Sequence, residues 1–253
     1  MSTSTAGRYD GMRGDDLAER LDLPHVVTFD RISSTLDVAH ELAEAGAAPG
    51  TLVLADAQTA GRGRLGRSWR SEPGAGVWLT LIERPIDATA LDVLSLRVGL
   101  ALAPVLDAFA GESVRLKWPN DLYVSDRKLG GILVEARWRE GSPEWVAIGV
   151  GVNVRAPAEE PRAIGLCPDC HRLDVLVAMV PALRDAAAQQ GPLTADELNA
   201  FAARDRAAGR SCAEPVVGTV RGIDASGALL VDPPSGGAPI VVRAGSLVLT
   251  EEL

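Results

Sequence analysis

The sequence is almost without lysine. Of its 25 lysines and arginines only Lys117 and Lys128 are lysines, and the other 23 are arginines. On an exposed surface the two types serve alike, so a bias towards arginine removes lysine freely. They differ where a compact ammonium is needed in place of a planar fork. The two survivors are therefore either chance or the mark of such a site.

Cysteine is scarce too. Cys167, Cys170 and Cys212 are too few for a disulfide framework, which fits a reducing compartment. No stretch approaches the roughly 18 consecutive apolar residues of a membrane span. The opening MSTSTAGRYDGMRGDD has no apolar core and does not read as a secretory signal. A cytoplasmic protein with no membrane partner is expected. A net charge of −9 excludes a surface that grips nucleic acid all over, though not a local anion site.

What is present is ordinary globular material: 253 residues, 47% hydrophobic and 23% charged, without repeats, enough for one sizeable domain and a small one. Residues 1–24 read as a tail holding at most one short helix, Asp15 to Leu23. Strands are expected at 25–30, 51–57 and 77–82, with a helical stretch ending at Ala45. From Leu91 to Phe109 apolar residues recur at helical spacing, and Pro104 should kink or break that helix. Four strands follow, at 114–118, 121–125, 131–138 and 145–154, then helices at 173–190 and 194–207, the second opened by a Thr194/Glu197 capping box. Consecutive strands in a meander predict an α+β sheet with helices on one face. After Glu214-Pro215 short β runs and turns at Asp224–Gly227 and Pro233–Gly237 suggest a small barrel-like domain. The division expected is a tail over 1–24, a main domain over 25–211 and a C-terminal domain over 212–253.

Two segments carry chemistry. Gly61-Arg62-Gly63-Arg64-Leu65-Gly66-Arg67, with Arg70 close behind, interleaves flexible glycines with forked donors for carboxylate or phosphate. Its clustered charges repel, so it should order when an anion arrives. It fits a basic surface loop as well. Lys117-Trp118-Pro119-Asn120-Asp121, followed by Lys128-Leu129-Gly130-Gly131-Ile132-Leu133-Val134-Glu135, puts an ammonium, an amide and a carboxylate at a sheet rim. Such a cluster suits phosphate oxygens and a metal, while Asn120-Asp121 also fits a plain turn. Cys167-Pro168-Asp169-Cys170-His171 is open to three readings: a solvent-facing loop, half a zinc site with Cys212 as fourth ligand, or haem attachment, which normally requires export. His25 and His40 read as surface or boundary residues, and Trp69 and Trp118 as core or ligand-bordering.

AGRGRLGRSW, KWPNDLYV and KLGGILVE resemble, in order, the motifs of the biotin protein ligase family, and the resemblance extends through GVGVNV (149–154) to RGIDASGALLV (221–231). It implies a class II aminoacyl-tRNA synthetase-like catalytic domain with an SH3-like C-terminal domain. It also implies a two-step reaction: biotin and ATP give biotinyl-5′-AMP, and a lysine of a biotin carboxyl carrier domain then takes the biotin. By position, Ser34, Thr35, Leu36, Gln58, Gly61, Arg62, Gly63, Arg64, Lys128 and Gly131 would meet biotin. Arg64, Arg67, Trp69, Lys117, Asn120, Lys128 and Asn153 would meet ATP or the adenylate, with Mg²⁺ arriving on ATP and no protein metal cluster. Arg62, Arg64, Lys128 and Asp121 would be catalytic, Asp121 by orienting or deprotonating the acceptor lysine. The chain departs from the family at Leu65, where an arginine is frequent, and at Leu36, where asparagine is common, so a contact at position 36 must be backbone or apolar.

Related families set the alternatives. Lipoate-protein ligases have a similar fold but lack the paired loop and KWPND motifs. Some biotin ligases carry a DNA-binding winged helix of roughly 60 residues. The 24 residues ahead of the first strand are too few for one, so no DNA binding is expected.

Overall fold

The computed structural model describes residues 7–85 and 87–252; residues 1–6 of the expected tail lie outside them. Helix α1 (Gly14–Leu21) buries Leu17 and Leu21. Strand β1 (Val26–Ile32), helix α2 (Thr35–Glu44) and strand β2 (Thr51–Gln58) follow, then β3 (Gly76–Glu83) and helix α3 (Thr89–Ala110). Four short-turned strands come next: β4 (Arg115–Lys117), β5 (Asp121–Val124), β6 (Arg127–Arg139) and β7 (Ser142–Asn153). One sheet takes all seven in the order β1-β2-β3-β7-β6-β5-β4. Only β1 and β2 run parallel, which is why a helix must carry the chain between them. The expected meander is present as β4 to β7.

Alternation along the strands decides which face each side chain serves. Leu52 and Leu54, Val77, Leu79 and Leu81, and Val146, Ile148 and Val150 enter the main core with α3 and with α4 (Arg172–Ala188). Val53, Ala55, Ile82 and Ala147 point the other way and pack with Leu36, Ala39 and Ala43 of α2. Helices therefore cover both faces rather than one. Because β2 is apolar at successive positions, as a strand buried on both sides must be, its sequence conceals that second face.

Helix α3 runs unbroken through Pro104. The ring sits on the exposed side, where the carbonyl it leaves unpaired can be solvated, so of the kink or break expected the break does not occur. By length and composition α3 could cross a membrane, yet Val93, Leu94, Val98, Leu102 and Leu106 are buried in the core. Its Arg97, 3% exposed, donates to Glu197 at 2.6 Å and to the carbonyls of Gly191 and Pro192. Glu197 belongs to α5 (Ala195–Arg204) and closes the expected capping box with Thr194. One carboxylate thus serves as both cap and partner of a buried charge.

A second, five-stranded antiparallel sheet is built from β8 (Ser211–Glu214), β9 (Gly218–Ile223), β10 (Leu229–Asp232), β11 (Ile240–Val242) and β12 (Val248–Leu249). The expected turns lie between its strands, with Gly227 N donating to Asp224 O and Gly236 N to Pro233 O. Val220, Leu229, Val231 and Leu249 join the main core, and Trp118 donates its indole N–H to Gly227 O at 2.9 Å. Trp118 thus ties the KWPND turn to this second sheet.

Candidate active site

A cavity of about 840 Å³ opens on the α2 face of the large sheet. Its floor is made by omission. Gly149 and Gly151 replace side chains on β7: a Cβ at Gly149 would meet Leu36 at 3.1 Å, and one at Gly151 would meet Trp69 Nε1 at 2.6 Å. Gly131 pairs with Gly151 across the ladder, and the Trp69 indole covers both. Leu36 lines the cavity, and its side chain packs over Gly149.

At one end, Ser34 caps α2 by accepting from Leu36 N. Thr35 donates through its backbone N–H to Gln58 Oε1 at 2.8 Å, and Thr80 donates to the Thr35 hydroxyl at 2.8 Å. Gln58 Nε2 donates to Ser71 Oγ at 2.7 Å. The result is an oriented set of hydroxyl and amide groups at the junction of β2 and α2.

The Gly/Arg loop is a hairpin laid across the cavity. Trp69 N donates to Gly61 O and Gly63 N to Arg67 O, each at 2.7 Å. Two of its four arginines are paired, which meets part of the repulsion behind the expectation of late ordering. Arg62 is held by Glu135 and Asp37, and Arg70 by Glu159. Among the described residues Arg64 donates only to the Gly245 carbonyl, at 3.3 Å, and burial pulls its pKa below the usual guanidinium value against the pull of Asp121. Arg64 and Arg67 are the loop cations turned to the cavity without a carboxylate bridge among the described residues. Leu65 is 70% exposed, so its departure from the family pattern removes nothing from the cavity.

The cation end joins two sheets. Lys128 Nζ lies 2.7 Å from Asp121 Oδ1 and 5.4 Å from the Trp69 ring centroid. Lys117 donates to Glu252 at 2.5 Å, and Arg206 donates to the other Glu252 oxygen at 2.8 Å. Burial lowers the Lys117 pKa although Glu252 opposes it. Asn153, at the end of β7, donates to Ile164 O and lines the same cavity.

Three readings are narrowed here. Gly61 does not line the cavity: a Cβ there would lie 2.4 Å from Trp69 O, so the position is glycine to let the hairpin close. Asn120 uses one N–H of its amide on Ile132 O at 2.7 Å, and Ile132 N returns a bond to Asn120 O, so the side chain fixes the turn while it lines the cavity. Cys167, Cys170 and His171 do not gather with Cys212. Among the described residues no three His, Cys, Asp or Glu groups form a ligand set. Cys170 bonds Phe109 O, and Cys212 bonds Val216 O and Gly218 O in the second sheet.

Sequence reasoning missed other residues. Arg206 and Glu252 complete the cation end from distant segments, and no local signal marks them. His40, read as a surface or boundary group, is 8% exposed and bonded to Glu135 and Trp145. Glu135 stood inside KLGGILVE but without an assigned part.

Residues 28–153 match the Biotin/lipoate A/B protein ligase family. The biotin–[acetyl-CoA-carboxylase] ligase of Mycobacterium tuberculosis is 35% identical over 241 residues, covering 85% of each chain. That of Paracoccus denitrificans is 36% identical over 235 residues, covering 81% of this chain and 93% of its own. The bifunctional ligase/repressor BirA of Bacillus spizizenii is 43% identical over 137 residues, which span only 42% of its length. Among solved structures, a biotin protein ligase from Aquifex aeolicus in complex with biotin and ATP superposes with a TM-score of 0.71 at 23% identity, covering 88% of this chain and 97% of that one. That likeness supports the fold, and the Mycobacterium and Paracoccus relatives carry the assignment: this chain belongs to the biotin protein ligase family.

Proposed function

We propose that the chain joins biotin to ATP as biotinyl-5′-AMP and transfers the biotin to a lysine of a biotin carboxyl carrier domain. In the first step a biotin carboxylate oxygen bonds to the α-phosphorus, and the bond to pyrophosphate breaks. In the second, the acceptor amine bonds to the acyl carbon, the bond to AMP breaks, and the amine gives up a proton.

The observation that carries this reading is one cavity with two unlike ends on a glycine floor. Ser34, Thr35 and Gln58 offer the hydrogen bonds a ureido ring requires. A lipoyl dithiolane could not repay them and would leave buried polar groups unpaired. Arg64, Arg67, Lys117 and Lys128 supply fixed positive charge where two anions must meet and where charge grows on the phosphate. Asn153 is assigned to the adenine side. Arg62 serves in the loop that closes over biotin, by way of its carboxylate partners. Asp121, held against Lys128, is the group assigned to the acceptor amine; Asp121→Asn that transferred biotin at the wild-type rate from preformed adenylate would remove that role.

Mg²⁺ is read as entering on the ATP phosphates, because Asp121, the carboxylate of the cation end nearest Lys128, is already taken by that lysine. The five-stranded sheet is read as an SH3-like domain from residue 212, the catalytic domain as residues 25–211, and the setting as cytoplasmic, in keeping with three unpaired cysteines. The deciding experiment incubates the protein with labelled biotin and a carrier domain. Label should enter the carrier only with ATP; none entering with ATP present would refute the reading.

A further inference from the structure

We propose that Glu135, His40 and Trp145 are positioning residues that latch Arg62, and through it the Gly61–Arg70 hairpin, over the cavity. They thereby set how long the ligand stays. The identity of that ligand rests on the biotin ligase reading; the latch geometry does not.

Glu135 stands on β6, on the cavity side of the sheet, yet does not line the cavity. Both its oxygens receive Arg62: Nη1 to Oε1 and Nη2 to Oε2, each at 3.0 Å. Asp37 on α2 adds a third contact at 3.1 Å. An exposed ion pair would hold a loop poorly, because its charges stay solvated and its side chains wander. This pair is different because the carboxylate is held from behind. His40 Nε2 lies 2.9 Å from Glu135 Oε2, and Trp145 Nε1 lies 3.0 Å from His40 Nδ1.

An indole N–H can only donate, so His40 Nδ1 must accept, and the ring proton of the neutral imidazole sits on Nε2, facing Glu135. The chain of bonds then has one direction: Trp145 to His40, His40 to Glu135, with Arg62 closing on the same carboxylate from the loop. The His40 hydrogen bond, aided by Arg62, holds the Glu135 carboxyl below its usual range, so it stays ionised for its partner. Trp145 on β7 and His40 on α2 are buried in rigid elements. Arg62 Nε is buried with no partner among the described residues, which leaves the hold to its two terminal nitrogens. Arg62 also bridges Ser68 across the hairpin, so fixing this one side chain fixes the loop base.

The test uses the loop's own arginines as trypsin sites. In Glu135→Gln, cleavage within 61–70 should quicken about tenfold, the loss of one charge-assisted hydrogen-bond pair, while the global unfolding midpoint stays put. Trp145→Phe, which keeps an aromatic ring but removes the donor, should move cleavage the same way by less, and Glu135→Asp should restore part of the protection. Dissociation of labelled biotin should quicken in the same order as cleavage. Wild-type cleavage in Glu135→Gln overturns the latch, and so does faster cleavage at every site in step with a lowered unfolding midpoint. A wild-type protein that binds no biotin would strike the ligase reading and leave the cleavage result to judge the latch.

Discussion

On one face of the large sheet β3 and β7 send in Val77, Leu79, Leu81, Val146, Ile148 and Val150, and α3 and α4 close over them. On the other face the same β7 presents Gly149 and Gly151, and an indole and a leucine lie in the space they leave. The first face gains stability from every methyl group it hides. The second gives up that burial, and in the proposed function the floor it leaves is where a flat ligand would lie. Damage to the two faces should therefore be separable: one set of substitutions should cost stability, the other function.

The largest effect should come from Leu102→Ala on α3, where a fully buried side chain leaves a cavity. A loss of about 2–5 kcal/mol is expected by denaturant titration, with the KM for biotin unchanged in protein that remains folded. Lys128→Gln should do the reverse, lowering the rate of adenylate formation about 10²- to 10³-fold by removing a preorganised charge and barely moving the unfolding midpoint.

A sharper contrast lies in two glycines on neighbouring strands, Gly151 of β7 and Gly130 of β6. A Cβ at Gly151 would press the Trp69 indole towards the cavity, so Gly151→Ala should raise KM for biotin and ATP about 10- to 100-fold. A Cβ at Gly130 would lie 2.6 Å from the Gly151 carbonyl and 3.3 Å from Leu122, so Gly130→Ala should lower the unfolding midpoint first.

The smallest effect concerns pH. The Arg97 hydrogen bond holds the Glu197 pKa below the usual carboxylate value, against its desolvation. A depressed folded pKa stabilises the protein above the ordinary carboxylate range, and the gain is lost as pH falls through the lowered value. The stability difference between wild type and Glu197→Gln should be full at neutral pH and shrink as pH drops below 4.5, the ordinary value. A difference constant across that range would show that Arg97 does not depend on the charge of its partner.

The sequence made the chemistry-bearing residues legible because they sit in short motifs: GRGRLGR, KWPND and KLGG lie around one cavity, and the two scarce lysines both line it. The strands and most helices were legible from periodicity and capping. Long-range pairing was not. Nothing in the local sequence of Glu252 announces that it will meet Lys117, or in that of His40 that it will join Glu135 to Trp145. The apolar run of β2 hid the second helical face, and the sequence at Pro104 left kink and break open because the cost of a proline depends on which side of the helix it occupies.

The central claim is that the glycine-floored cavity activates a carboxylate with ATP. Exchange of labelled pyrophosphate into ATP tests it without any acceptor protein. The account predicts exchange that requires biotin and falls away in Lys128→Gln. Absence of exchange in the wild type, or exchange that proceeds equally without biotin, would contradict it.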